Sequence, residues 1–285
     1  MSWSELIGYI ILAAAAVFLI RGFWEPTKLE CLTVKISLPS AGGSAFRILL
    51  FSDLHAEIFR IQPDKLLQAF ASASPDLILF AGDLAAHERH LPKALNLMNA
   101  IRQLPNLQDI PFFAVRGNHD GESVAVKLQA AGIKLLENTA VACELGGQPW
   151  QIIGLADLRT GPHDPAGALL AAEQAGIPPE RRLAFAHNPD VLLDLPQGSA
   201  AFFLAGHFHG GQIWMPFHLE FLLLRSERLP KAGFYKGHFT WQGTQAYISR
   251  GLGCVLLPLR FFSKPELTLL EITPKDDPES DQRPG

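Results

Sequence analysis

Eight residues able to bind metal or move protons stand in five short blocks: Asp53 and His55, Asp83, Asn118 and His119, His187, and His207 and His209. Carboxylates, imidazoles and an amide oxygen form a ligand set for borderline divalent cations. Imidazole suits zinc, iron or manganese, and carboxylate suits manganese or magnesium. The set is too large for one tetrahedral site and large enough for two cations that share a bridging ligand. Taken singly the blocks say little. Asp-x-His is usually a solvated loop, Gly-Asp is a common turn, and Asn118 or Asp120 is a suitable helix cap. His207 and His209 would point to opposite faces of a strand, so both can ligate only if the chain turns there; Gly206, Gly210 and Gly211 permit the turn. The joint occurrence in order carries the signal.

Each block directly follows an apolar run, at residues 48–51, 77–80, 112–115, 183–186 and 201–204. Uninterrupted runs of this length read as strands buried on both faces. Residues 66–73, 91–104 and 124–131 have helical spacing between them. Strand alternating with helix means a layered α/β fold with much parallel sheet, in which ligands collect at the carboxyl ends of strands. Residues 32–38 alternate like an edge or surface strand, and further strands are expected at 150–155, 238–241, 245–249 and 266–272.

The series Asp53-Leu-His55, Gly82-Asp83, Gly117-Asn-His-Asp120, His187 and Gly206-His-Phe-His209 resembles the five-block signature of calcineurin-like metallophosphoesterases. Residues 209–212, 249–253 and 258–262 are similar to the branch of bacterial membrane-associated or exported phosphoesterases. The resemblance implies a four-layer α/β/β/α sandwich of two mixed sheets, with the metals at the edge between the sheets. It implies two divalent ions (manganese, iron or zinc): Asp53, His55 and His209 on the first, Asn118, His187 and His207 on the second, and Asp83 bridging. His119 resembles the residue that protonates the leaving alkoxide or steadies the phosphoryl oxygen. The implied activity is hydrolysis of a phosphomonoester or phosphodiester by a metal-bridging hydroxide. A narrower alternative is a UDP-2,3-diacylglucosamine pyrophosphatase of lipid A synthesis, acting on a membrane lipid. An alternative of another class is a non-catalytic scaffold of the same fold; every ligand position is kept here, which argues against it. Three positions depart from the family pattern: Ala86 replaces a frequent acid that orients the catalytic imidazole, Phe208 replaces a small hydroxyl residue, and Arg116 replaces an apolar residue or proline.

Of the 285 residues 48% are hydrophobic and 18% charged, against roughly 25% charged in a typical soluble domain. The net charge of −4 comes without a basic stripe, which argues against nucleic acid as the main partner. Cys31, Cys143 and Cys254 are too few and too scattered for a disulfide framework or a zinc knuckle. Residues 6–20 are uncharged and apolar, with Trp3 and Trp24 placed as interfacial aromatics and Arg21 able to snorkel. Only Glu5 precedes the run, so a cleavable signal fits less well than a membrane anchor. Arg21, Lys28 and Lys35 follow it, and that bias puts the catalytic domain on the cytoplasmic side. The expected divisions are an anchor at 1–25, a linker and first strand at 26–44, the phosphoesterase domain at 45–273 and a disordered tail at 274–285. The expected partners are the membrane and a phosphate ester, including a lipid-linked one. Arg116, Phe208 and Trp214 are the candidate substrate contacts, and Asp157 and Arg159 candidate pocket residues. The apolar residues 213–224 begin four positions after His209; they are read either as ordinary core packing or as a hydrophobic lip to which Trp214, Phe217, Phe221 and Leu222 contribute.

Overall fold

A computed structural model of the chain describes residues 1–39 and 42–275. The first helix, α1 (Trp3–Trp24), leads into β1 (Glu30–Pro39), β2 (Phe46–Phe51), α2 (Pro63–Ser72), β3 (Leu77–Phe80), α3 (Leu91–Arg102), β4 (Phe112–Ala114), α4 (Ser123–Ala130) and β5 (Lys134–Leu135). The second half runs β6 (Thr139–Leu145), β7 (Gln148–Gly154), α5 (Pro165–Gln174), β8 (Arg182–Phe185), β9 (Phe202–Ala205), α6 (Leu219–Leu224), α7 (Arg228–Lys231), β10 (Gly237–Trp241), β11 (Thr244–Ile248) and β12 (Glu266–Lys275). The last strand extends past the expected domain boundary at 273; the remainder of the expected tail lies outside the described residues.

Two six-stranded mixed sheets form, in the orders β1-β12-β2-β3-β4-β5 and β10-β11-β9-β8-β7-β6. Strands β2 to β5 run parallel, as do β7, β8, β9 and β11, while β12 enters antiparallel beside β2. The apolar runs show no alternation because both faces of these strands are covered. Ile48, Leu50, Leu77 and Leu79 of the first sheet meet Ile152, Leu183, Phe185, Phe202 and Leu204 of the second. The intervening Leu49, Phe51, Ile78 and Phe80 face Leu66 and Phe70 of α2 and Met98 and Ile101 of α3. On the far side Ile153, Ala184 and Phe203 pack against Ala168 and Ala172 of α5. The result is the expected α/β/β/α stack. Burying both faces keeps the strand ends rigid, which is what the loops beyond them require.

Helix α1 stands apart from this core. Ser2 and Glu5 close its N-terminus in a capping box. Its 22 residues extend about 33 Å; an 18-residue stretch of it has a mean hydropathy of 2.2 and almost nothing buried, so it is long and apolar enough to cross a membrane. Only its last turns touch the domain: the Arg260 N–H donates to the Gly22 carbonyl at 3.0 Å, and the buried Glu25 carboxylate accepts from Arg21 and from the Ser263 N–H.

Phe51 ends β2 inside a cluster of rings, 5.1 Å from Phe70 and 5.0 Å from Phe80 between centroids. Phe51→Ala is expected to cost about 3–5 kcal/mol, the usual range for emptying a buried aromatic position. Chemical denaturation of the purified variant checks it.

Candidate metal centre

Five loops at the carboxyl ends of β2, β3, β4, β8 and β9 meet at one edge of the sandwich. They bring together two groups whose ligand atoms lie within 4.8 Å of one another: Asp53 with His55 and His209, and Asp83 with His187 and His207. Oδ2 of Asp83 lies 3.4 Å from His55 Nε2 and 3.2 Å from His187 Nε2, so one carboxylate oxygen faces both groups. Asn118 Oδ1 lies 3.1 Å from His187 Nε2 and thus joins the second group.

The backbone here is unusual. Asp53, His55, Asp83, His207 and His209 all have left-handed φ, between 41° and 74°. Non-glycine residues rarely adopt it, and it persists where surrounding structure forces it, commonly at functional sites. It turns the chain between His207 and His209, so the two imidazoles serve different groups. Close approach needs glycine: a Cβ on Gly117 would fall 2.1 Å from Asp83 Oδ1, and one on Gly206 would fall 2.6 Å from Asp53 Oδ2. The buried Asp120 carboxylate accepts from the N–H groups of Asp83, Leu84 and Gly117 at 2.8–2.9 Å, tying two of the loops together.

Outer hydrogen bonds aim the imidazoles. His187 Nδ1–H donates to the Ala81 carbonyl at 2.8 Å, which leaves Nε2 to face Asp83. His207 Nε2 is 3.1 Å from Glu227 and its Nδ1 is 3.0 Å from His187 Nε2. His55 Nδ1 is 3.4 Å from Glu57, while its buried Nε2 has no hydrogen-bond partner among the described residues. Carboxylates that hold the outer nitrogen and free the inner one are a regular feature of metal-binding histidines. Burial disfavours the charged form of His55, but Asp83 and Glu57 outweigh it and push the imidazole up to about 9. Burial is likewise outweighed by Asp83 at His187, pushed up to about 10. Burial holds His207 and His209 down to about 4. Asp53 and Asp83 stay well below the usual carboxylate range despite burial, because His209 and His187 respectively stand beside them. Buried carboxylates and converging imidazole nitrogens of this kind are suited to cations, and the donor set fits two divalent ions.

The centre forms one end of a cavity of about 460 Å³. Asp83, Asn118, His119, His207 and His209 line that end, Arg159 and Arg225 one side, and Ile213, Met215, Phe221, Val255, Leu256 and Leu257 an apolar wall. His119 is exposed; its backbone N–H donates to Asp83 Oδ1 at 2.9 Å and its ring stands edge-on to His55 at 5.3 Å. At the position of the missing acid, the Ala86 N–H donates to Glu57, and Glu57 engages His55 rather than His119.

The expected contacts divide between the cavity lining and its surroundings. The Arg116 guanidinium pairs with Glu137 and does not line the cavity. Phe208 forms no exposed lip, but it does line the cavity, from a fully buried position against Phe221, Leu229 and Ile248, under the Arg225 guanidinium. Phe221 is buried with it. Trp214 lies beside the cavity wall, 40% exposed and edge-on to Phe262. Arg159 does line the cavity, whereas Asp157 is buried and accepts from the Arg159 N–H at 2.8 Å. Sequence reasoning missed Glu57, Arg225, Glu227, Arg260 and Ser263. Glu57 carried a signal, two residues after His55. The others reach the centre from distant segments: Arg225 donates to the His207 carbonyl, Ser263 Oγ donates to the His209 carbonyl at 2.6 Å, and buried Arg260 spans the carbonyls of Arg250, Gly251 and Gly253.

Two outcomes are expected. Glu227→Gln should weaken metal affinity about 10–100-fold, the usual effect of losing an outer carboxylate, as read by calorimetric titration of the metal-stripped protein. His55→Gly, stripped of metal, should be more stable than His55→Ala by about 1 kcal/mol, because alanine keeps the left-handed penalty and glycine does not; thermal unfolding compares them.

The family model described as "Calcineurin-like phosphoesterase" matches residues 46–211, which hold all seven of these candidate ligands. The chain is 31% identical to the metallophosphoesterase YkoQ of Bacillus subtilis, over 93% of this chain and 100% of that protein. It is 29% identical to the phosphodiesterase YaeI of Escherichia coli, over 92% of this chain and 94% of that one. A transmembrane protein with metallophosphoesterase domain from Danio rerio is 24% identical, over 93% of this chain and 62% of its own length.

Proposed function

Since the chain belongs to the calcineurin-like phosphoesterase family, we propose that it is a two-cation hydrolase of phosphoric esters. Asp53, His55 and His209 would hold one divalent ion, Asn118, His187 and His207 the other, and Asp83 both. The observation that carries this reading is the single Asp83 oxygen facing both ligand groups. Two bound cations at such a site neutralise charge on the phosphoryl oxygens and make water acidic enough to act as the nucleophile.

The chain's own residues supply the rest. His119 stands at the cavity surface with its backbone tied to Asp83, so its imidazole is available to give a proton to the leaving oxygen. Arg225 is braced on the His207 carbonyl, and Arg159 is paired with Glu227. Both line the cavity and offer planar donors to the phosphate or to a second phosphoryl group beside it. A scaffold role is disfavoured because no ligand position has been lost. The guanidiniums beside an apolar wall favour one second reading, a lipid-linked pyrophosphate substrate such as a UDP-diacylglucosamine. Residues 1–25 would anchor the domain of residues 45–273 to a membrane, with residues 26–44 as linker and first strand. The charge that follows the anchor favours the cytoplasmic side.

Activity of manganese-reconstituted protein against aryl monoesters, aryl diesters and lipid-linked pyrophosphates tests the reading; no turnover of any of them would overturn it. His119→Ala is expected to retain both metals and to slow turnover about 10²–10⁴-fold. The loss should be larger for alkyl than for aryl leaving groups, because the poorer leaving group needs the proton more. Equal losses would remove His119 from the acid role.

A further inference from the structure

Around the cavity mouth the chain exposes large apolar side chains from two segments, residues 213–223 and 256–262. Phe217 and Leu256 are each 88% exposed and Leu223 72%, with Leu222, Trp214 and Phe262 beside them. The display is held in place by the backbone: Phe217, Leu256 and Phe262 all have left-handed φ, between 57° and 62°. Bulky residues in that conformation are strained, and water gives nothing back for presenting hydrocarbon to it.

The same segments are fastened to the end of α1. Arg21 lies 3.8 Å over the Phe262 ring, Phe18 packs on Phe261 at 5.1 Å, and the Gly22 carbonyl accepts from the Arg260 N–H. Trp214 joins the assembly through its N–H on the Phe261 carbonyl at 3.0 Å. That end of α1 also carries Trp24, exposed, with Lys28 4.6 Å from its ring. Aromatic and basic side chains at the end of an apolar helix mark the headgroup level of a bilayer. A helix seated at that depth brings the attached loops to the same level. The exposed rim is therefore continuous with the membrane-facing surface of α1.

We propose that this rim is seated in the interfacial layer of the lipid bilayer that holds α1, and that the cavity takes its substrate laterally from that leaflet. The ligand class is an amphiphile whose phosphate ester reaches the metal centre while its hydrocarbon chain stays against Met215, Phe221 and Leu256 or in the lipid. The seating of the rim rests on the membrane anchor proposed above; the substrate class rests in addition on the phosphoesterase reading.

The test uses full-length protein in nanodiscs of phosphatidylcholine and phosphatidylglycerol, with Cys31 and Cys143 replaced by serine. Nitroxide labels are placed through Phe217→Cys, Leu223→Cys and, as an exposed control on α4, Val126→Cys. Labels at 217 and 223 should collide with oxygen and be shielded from a water-soluble nickel chelate, the control label the reverse. Chelate access at 217 and 223 equal to that of the control would overturn the proposal. So would shielding accompanied by dipolar broadening between labels, which would mean that a second copy of the chain covers the rim. For the substrate class, dioleoyl phosphatidate in the same nanodisc should inhibit aryl phosphate hydrolysis at a concentration at least tenfold below that of glycerol 3-phosphate. The double variant Phe217→Asp, Leu223→Asp should lose that advantage and hydrolyse the soluble aryl phosphate as before. Equal potency of the two inhibitors would overturn uptake from the leaflet. Absence of turnover of aryl monoesters, aryl diesters and lipid-linked pyrophosphates alike would instead defeat the phosphoesterase reading, and the label depths would still decide whether the rim is seated.

Discussion

The Asp83 carboxylate is the group on which both halves of the centre converge. It is buried, ionised and shared between imidazoles that enter from opposite sheets, His55 from the first and His187 from the second. A buried anion in that position must be compensated on both sides, and the architecture follows from the requirement. The two sheets have to present their carboxyl ends at one edge. The turns after the strands have to adopt left-handed backbone so that side chains point back toward Asp83. Gly117 has to lack a side chain because Asp83 occupies the space a Cβ would need. Asp120 locks the two loops in that approach with three backbone N–H groups.

Much of this was legible in the residues. Strands buried on both faces leave uninterrupted apolar runs, so the five central strands could be read with small boundary errors. The chemistry-bearing residues stand directly after those runs, because a rigid strand end is the most economical place from which to aim a short side chain. The two-residue strand β5, Lys134–Leu135, left no such trace; it is defined by pairing with β4 and not by its own pattern. Side-chain direction beyond the strand ends was not legible either. Phe208 and Phe221 share a segment with exposed Phe217 and Leu222, and nothing in their spacing separates the inward pair from the outward one. Arg116 was absorbed by Glu137, a partner that only the tertiary fold brings near. Outer-sphere groups were the hardest to see, since Glu227 and Ser263 reach their histidines from other segments of the chain.

Helix α1 is joined to the centre by a short relay. Glu25 at its base accepts from the Ser263 N–H, and the Ser263 hydroxyl donates to the carbonyl of His209, a candidate ligand. Arg260 runs beside it, with its backbone N–H on Gly22 and its guanidinium filling the turn formed by residues 250–253. The base of the apolar helix is thus part of the frame that shapes one side of the site, and a form lacking residues 1–25 would lose a buried carboxylate contact.

The central claim is that two cations share Asp83. Anomalous scattering from crystals of the manganese-loaded full-length protein tests it most directly. The account predicts two peaks about 3.5–4 Å apart, one beside Asp53, His55 and His209, the other beside Asn118, His187 and His207, with Asp83 touching both. A single peak, or a second peak out of reach of Asp83, would contradict it.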